Sequence, residues 1–460
     1  MVRDMNTTNS DWLSPADRRK LGQSRRKHVG RQTNNELKDK ARPADALKLL
    51  ERAAKGRVPA LVKLKFQLMS VSPFGYFRGA VPVMAADLAA LPNTGIVTQL
   101  CGDAHVRNLG AFAAPDGRLV FDINDFDETI RGPFEWDLKR MAASLVLAGR
   151  EGGQKDSSSR AAVEACIRRY AEMMRSFAEM PILEVARHQV HVEGAVMHDA
   201  LLKAERATPL HTLEQITELA DRKATQREAP RRFKEIPPML TRVTGKQAQD
   251  VIGSLGPYRK MLEPQRVHLL SLYRPVDVAF KVVGTGSVGL RDYCVYLEGN
   301  GPGDPLFLQI KEETASGYAA YLPHAKPARQ NGQRVVEGQK AMQVQSDPFL
   351  GWTEIDGRHY LVRQLNDHKG SVDMNDFAGK GLTAYAQVCG ELLARGHARS
   401  GDALSIAGYV GVGDGFAEAL AEFGARYADR TEKDWLELKR SGKARPTKTG
   451  SAGKKQLSTK

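Results

Sequence analysis

Cysteine is scarce in this chain: four in 460 residues, at Cys101, Cys166, Cys294 and Cys389, none in a Cys-x-x-Cys spacing. That argues against a disulfide framework and against a structural zinc site. No apolar run reaches membrane-spanning length, and the opening residues lack the apolar core of a signal peptide. The expectation is a reduced, cytoplasmic protein with no membrane contact. Acid is missing from one stretch. Residues 438–460 carry eight Lys/Arg and no Asp or Glu, and residues 1–40 carry a net +5, which leaves +1 of the chain's +14 for everything between. Basic ends of this kind touch nucleic acid without sequence preference. A solvated, disordered tail is expected rather than a dedicated site, and the patch Arg25-Arg26-Lys27 is expected to be solvated in the same way.

What is present divides the chain. A basic arm over residues 1–43 precedes a mainly helical region, 44–275. An antiparallel β region follows at 276–368, then helices at 369–437 and the basic tail at 438–460. Within the first region, residues 44–69 read as helix interrupted at Pro59. Ser72 to Gly79 reads as an aromatic turn that carries Arg78, a cation suited either to a phosphate or to a buried acid. Residues 181–275 read as helical with breaks at Pro230, Pro237-Pro238 and Pro264. Within them the charged stretch Arg222–Lys234 reads as a solvated face or mobile loop.

The first chemical signal is Gly102-Asp103-Ala104-His105-Val106-Arg107-Asn108. A short strand, Ile96–Leu100, leads into it. A hairpin, Leu109–Ala113 and Leu119–Ile123 around Pro115-Asp116-Gly117, then delivers the run Asp122-Ile123-Asn124-Asp125-Phe126-Asp127. Phosphoryl transfer needs a carboxylate for the proton of the attacking group, and an amide oxygen with a second carboxylate to hold a metal. Asp103, Asn108 and Asp125 supply that inventory, with Asp122 and Asp127 as competitors for the role of Asp125.

The second signal is Gly284-Thr285-Gly286-Ser287-Val288-Gly289, followed by strand, turn and a strand ending in Lys311. No helix opens at the third glycine, so a dinucleotide-binding unit is disfavoured, and a P-loop is excluded by the missing Gly-Lys-Ser/Thr ending. A glycine hairpin and a strand lysine are how kinases cover ATP phosphates. Gly284, Gly286, Ser287, Gly289 and Lys311 are therefore the expected nucleotide contacts, with Glu337 on the helix-like stretch 334–342 as the partner of Lys311. A hairpin around Asp356-Gly357 leads to a hinge at Asn366-Asp367-His368. A helix over Thr383–Leu393 follows, after which His397 and Asp402 read as helix-end groups.

With Asn124-Asp125-Phe126 and Trp136-Asp137-Leu138, the Gly102–Asn108 loop resembles the catalytic core of the aminoglycoside and choline phosphotransferases, relatives of the protein kinases. The resemblance implies Asp103 as base within a catalytic group that includes His105 and Arg78. It implies Asn108 and Asp125 as metal ligands and Asp137 as a brace beneath the loop. The wider chain, over roughly residues 45–435, resembles a bacterial family known as domain of unknown function 2252.

In ordinary kinases the glycine loop precedes the catalytic loop. Here it follows, so the implied fold is α+β, a protein-kinase-like two-lobe fold in circularly permuted order. That order requires the helix before Asp402 to end beside the Gly102 loop. The expected function is ATP- and Mg2+-dependent phosphotransfer to a small-molecule acceptor, with nucleotidyl transfer as the neighbouring chemistry. A non-catalytic nucleotide-binding protein is one alternative. A metal-dependent phosphoesterase is the other, since Asp103-x-His105 has the form of a ligand pair. Acceptor and oligomeric state are not legible.

Overall fold

The computed structural model describes residues 12–38, 42–190, 195–220, 230–282, 284–322, 328–365, 368–373, 377 and 381–445. It is an α+β structure with antiparallel sheets. The largest sheet has six strands in the order Gly351–Ile355, Arg358–Gln364, Pro305–Glu312, Asp292–Glu298, Arg274–Lys281, Leu240–Val243.

Every residue of its two central strands, Asp292–Glu298 and Pro305–Glu312, is buried. Side chains alternate between the two faces of a strand. Tyr293, Val295, Leu297, Leu306, Leu308 and Ile310 therefore pack into one core, against the helices between residues 245 and 271. Cys294, Tyr296 and Phe307 face the opposite way, toward Leu213 and Phe233. Continuing along that second face from Phe307, the alternation brings up Gln309 and Lys311. There the sheet turns from apolar to polar.

The other large core is helical. Helices Glu135–Glu151, Asp156–Glu179, Gly381–Ser400, Ala403–Val410 and Gly415–Arg440 contribute its centre, including Leu138, Leu145, Tyr170, Leu392 and Phe423. Two small sheets sit at its edge. Val97–Leu100 pairs antiparallel with Ile130–Pro133, and the hairpin Leu109–Ala113/Leu119–Ile123 is joined by Gly370–Ser371. Among the described residues no helix is long and apolar enough to cross a membrane, and all four cysteines are free and buried.

Several expectations need correction. Ser72–Gly79 is a helix, Pro73–Gly79, because the Ser72 side chain caps it by accepting from the Gly75 amide. Residues 181–275 contain three short strands, Thr217–Leu219, Arg231–Phe233 and Leu240–Val243. The last joins the large sheet, which therefore starts well before residue 276. Of the charged stretch 222–234, residues 222–229 lie outside the described residues, as do Asn366 and Asp367 of the expected hinge.

The basic arm is not simply solvated either. Helix Pro15–Arg25 docks on Ala403–Val410, and Arg26 and Arg31 donate to the carbonyls of Gly408, Tyr409, Val410 and Val412. Arginines are well suited to the unpaired carbonyls at a helix end. The first eleven residues and the tail beyond Arg445 lie outside the described residues.

Candidate active site

The loop between Leu100 and Leu109 is held from below. Asp137, in the first turn of helix Glu135–Glu151, accepts from the amides of Cys101 at 2.8 Å and Gly102 at 3.0 Å. Gly102 has φ +83, and a Cβ there would lie 2.1 Å from the Glu128 carbonyl oxygen, so only glycine fits this crossing. His397 adds a third support, its Nε2 3.3 Å from Asp137 and its Nδ1 2.9 Å from the Tyr170 hydroxyl. His397 stands on helix Gly381–Ser400. The end of that helix meets the strand that feeds the loop: Ser400 Oγ is 2.9 Å from Thr98 Oγ1, and the Gln99 amide donates to it. The helix before Asp402 thus ends beside the strand that enters the Gly102 loop. Asp402 itself caps the next helix and pairs with Arg18, away from the loop.

Above this brace sits Asp103. Its carboxylate pairs with Arg140 Nε at 2.6 Å, and Arg140, fully buried, also lies 4.1 Å from the Phe77 ring centroid. Burial pushes the Asp103 carboxyl up, with Arg140 opposing. His105 is buried, and burial together with Arg78 and Arg140 holds its pKa well below the ordinary value, so the ring is neutral. Its Nδ1 accepts from the Arg107 amide, which leaves the proton on Nε2, 3.6 Å from Asp103. Asn108 donates from its amide nitrogen to the Asp103 carbonyl at 3.0 Å, closing the loop on itself.

The acidic run divides its work. Asp122 is consumed by a buried ion pair with Arg395 and by the Ile123 amide. It lies back on the strand and is not available to a metal. Asp125 and Asp127 project from the turn after the strand into a common cleft with Asp103 and Asn108. Asp127 Oδ2 accepts from Lys311, brought by strand Pro305–Glu312, and from Ser287 Oγ at 3.0 Å. One carboxylate therefore joins the two motifs that lie far apart in the chain. Burial opposes the charge on Asp127, but Lys311 outweighs it and holds the carboxyl below its usual range. Asp125 goes the other way, pushed up to about 6 by burial and then by the negative charge of Asp127.

The glycine turn forms the roof. Gly284 and Gly289 have φ +61 and +92, and Gly284, Gly286 and Ser287 line the cleft. The turn is tied to the helical side: Lys65 donates to the Thr285 and Gly286 carbonyls, Arg57 to Val288, and the Val58 amide to Gly289.

Glu337 does not reach Lys311. It lies on the exposed face of helix Asn331–Met342, bonded to Gln333, because Val335, Val336 and Gln339 take the inward positions. The nearest second acid is Glu313, 4.0 Å from Lys311, buried and pushed well up by that burial. Gly338, which weakens this helix, is explained by packing: a Cβ there would lie 2.4 Å from Thr129 Oγ1. The helix contributes Arg334 instead, which donates to the carbonyls of Asp127, Thr129 and Thr314. It thereby fixes the segment after Asp127.

No motif in the sequence marks Arg57, Lys65, Arg140 or Arg334, while His397, read above as a helix-end group, braces the loop instead.

For a metal, the donors at hand are the carboxylates of Asp125 and Asp127 with Asn108. Among the described residues no three Asp, Glu, His or Cys side chains form a cage. Two carboxylates suit magnesium, which keeps water and phosphate oxygens in its shell. Asp127 Oδ1 is buried and has no partner among the described residues, as such a ligand atom should be.

The family described as "Uncharacterized protein conserved in bacteria (DUF2252)" matches this chain over residues 57–441. No curated protein matches it, and no solved structure does.

Proposed function

The chain belongs to that bacterial family, and from the geometry of its cleft we propose that it is an ATP- and magnesium-dependent phosphotransferase for a small-molecule acceptor. We read its architecture as kinase-like and circularly permuted. The observation that carries the reading is the contact of Lys311 and Ser287 with Asp127 Oδ2, in the cleft that also holds Asp103, Asn108 and Asp125. A lysine, a glycine turn, an acidic pair and a braced aspartate converge there, and phosphoryl transfer has a use for each.

In this reading Asp103 accepts the proton of the acceptor's hydroxyl or amine as that atom bonds to the terminal phosphorus. The bond from phosphorus to its bridging oxygen breaks, and ADP leaves. The desolvation that raises the Asp103 carboxyl makes it a better proton acceptor. Asp137 and His397 fix the loop, Arg140 fixes the orientation of the carboxylate, and neutral His105 steadies its second oxygen. Lys311 and the amides of the glycine turn hold the phosphates. Asp125, Asp127 and Asn108 would hold magnesium, which when bound neutralises phosphate charge.

The test is thermal unfolding with and without MgATP, each variant compared with its own ligand-free midpoint. At about 100 times the dissociation constant a single site adds about 2.7 kcal/mol. We expect that gain in the wild type and its loss in both Lys311→Met and Asp127→Asn. No gain in the wild type with any nucleotide would sink the proposal.

The short Arg140–Asp103 pair favours a second reading, a nucleotide-binding protein without turnover, since a cation at 2.6 Å weakens a base. Asp103→Asn decides between them. Loss of ATP turnover with binding retained supports catalysis, and an unchanged biological activity supports the second reading.

A further inference from the structure

Beside Asp103 the same cleft is lined by Arg57, Lys65 and Arg78. They come from three successive pieces of chain: the link before helix Pro59–Met69, that helix itself, and helix Pro73–Gly79. Among the described residues none of the three meets a carboxylate within ion-pair distance. Arg57 donates to the carbonyls of Ala53 and Val288, and Lys65 to those of Thr285 and Gly286 at 3.1 and 2.8 Å. Arg78 has no hydrogen bond or ion pair among the described residues, and its Nε is buried without a partner. Burial pulls the pKa of Arg78 down to about 10, with the charge of Arg107 adding to the effect. Burial also takes Lys65 well below its ordinary value, and Arg57 lowers it further.

Three other buried cations in this protein have acids of their own, whereas Lys139 lies over the Phe423 ring. Arg395 has Asp122, Arg140 has Asp103 and Lys311 has Asp127. Of the acids that line the cleft, Asp103 and Asp127 thus have cations of their own, while Asp125 faces Arg78 without an ion pair among the described residues. Glu128, the next candidate, accepts from the Gly317 amide. Removing a charge from water without a partner is costly, and an anion arriving in the cleft relieves that cost. Arg78 offers the planar fork that suits carboxylate and phosphate, and Lys65 adds a compact point charge.

We propose that Arg57, Lys65 and Arg78 form an anion subsite for the acceptor, which is therefore an alcohol or amine that also bears a phosphate or carboxylate group. This rests on the phosphotransferase reading above. An anion held there sets the acceptor's nucleophilic atom toward Asp103, while the nucleotide occupies the Lys311 end. The terminal phosphate of the nucleotide shares the same chemistry and is the competing source of the anion.

The experiment is calorimetric titration of inorganic phosphate into the full chain, with and without a saturating magnesium complex of a non-hydrolysable ATP analogue. Wild type, Arg78→Gln and Lys311→Met are compared. We expect one phosphate per chain, at least about tenfold weaker binding in Arg78→Gln, as suits a charge-assisted bond, and near-unchanged affinity in Lys311→Met. Phosphate and the analogue should bind together. Competition between them would assign the three cations to the nucleotide and overturn the proposal, as would absent binding or equal affinity in Arg78→Gln. Phosphate binding through Arg78 in a chain that never binds the analogue would remove the phosphotransferase reading and leave the anion subsite standing.

Discussion

Arg42 and Arg78 are each partly withdrawn from water, in two different regions of this molecule, and the two regions treat them in opposite ways. Where the N-terminal arm crosses the last helix, Arg42 forks onto Asp87 and Asp434, with four bonds of 2.7 to 2.9 Å. The Tyr427 hydroxyl and Arg430 complete the shell of Asp87. In the cleft, among the described residues, the Arg78 side chain makes no hydrogen bond, Asp127 keeps one oxygen without a hydrogen bond, and so does Glu313. A closed shell of charge holds the chain together, because removing one member strands the others. Open valence does nothing for the folded state and is free to meet a ligand. Burial alone does not separate the two regions, but the count of partners does.

The largest effect should come from breaking the closed shell. Arg42→Met leaves Asp434 without its cation and Asp87 with Arg430 alone, and should cost about 3–5 kcal/mol in chemical denaturation. Asp137→Ala should come next. It strands the Cys101 and Gly102 amides together with His397, at about 3 kcal/mol.

pH sharpens the contrast from the other side. The Asp125 carboxyl is raised from 3.8 to about 6. The folded state therefore holds that proton more tightly than the unfolded one, so the penalty is absent below the ordinary value, grows between the two, and is full above about 6. Asp125→Asn should therefore stabilise the ligand-free protein more at pH 7.5 than at pH 4, read from unfolding midpoints at each pH. An advantage of the same size at both values would mean that Asp125 is not the titrating group.

At the small end, Arg78→Gln should leave ligand-free stability unchanged within about 0.5 kcal/mol or raise it, since no native bond is lost. A loss comparable to that of Arg42→Met would erase the distinction between the two regions. Glu337→Ala should be silent within the same margin for both stability and nucleotide binding.

Much of the cleft was legible because its signals are local. The Gly102–Asn108 loop, the hairpin that follows it and the strand ending in Lys311 are short patterns whose spacing and alternation survive in the linear chain. Even the need for the helix before Asp402 to reach the loop could be stated from element order alone. Three things were not legible. The first was helix phase: Glu337 and Gln339 are two residues apart, and only packing decides which one faces inward. The second was that Asp122 is drawn away from the cleft that Asp125 and Asp127 line, by Arg395, which lies more than 270 positions away from it. The third was the docking of the arm. Its arginines look like solvent-facing charge until the helix ends they cap are known.

The glycine turn belongs to the sheet by sequence, yet its backbone is fastened elsewhere. Four hydrogen bonds from Arg57, Val58 and Lys65 hold the carbonyls of Thr285, Gly286, Val288 and Gly289. The roof of the cleft is therefore anchored to its far wall. Raising the turn must either break all four bonds or drag helix Pro59–Met69 along, so the roof of the cleft and its far wall move on a single pivot.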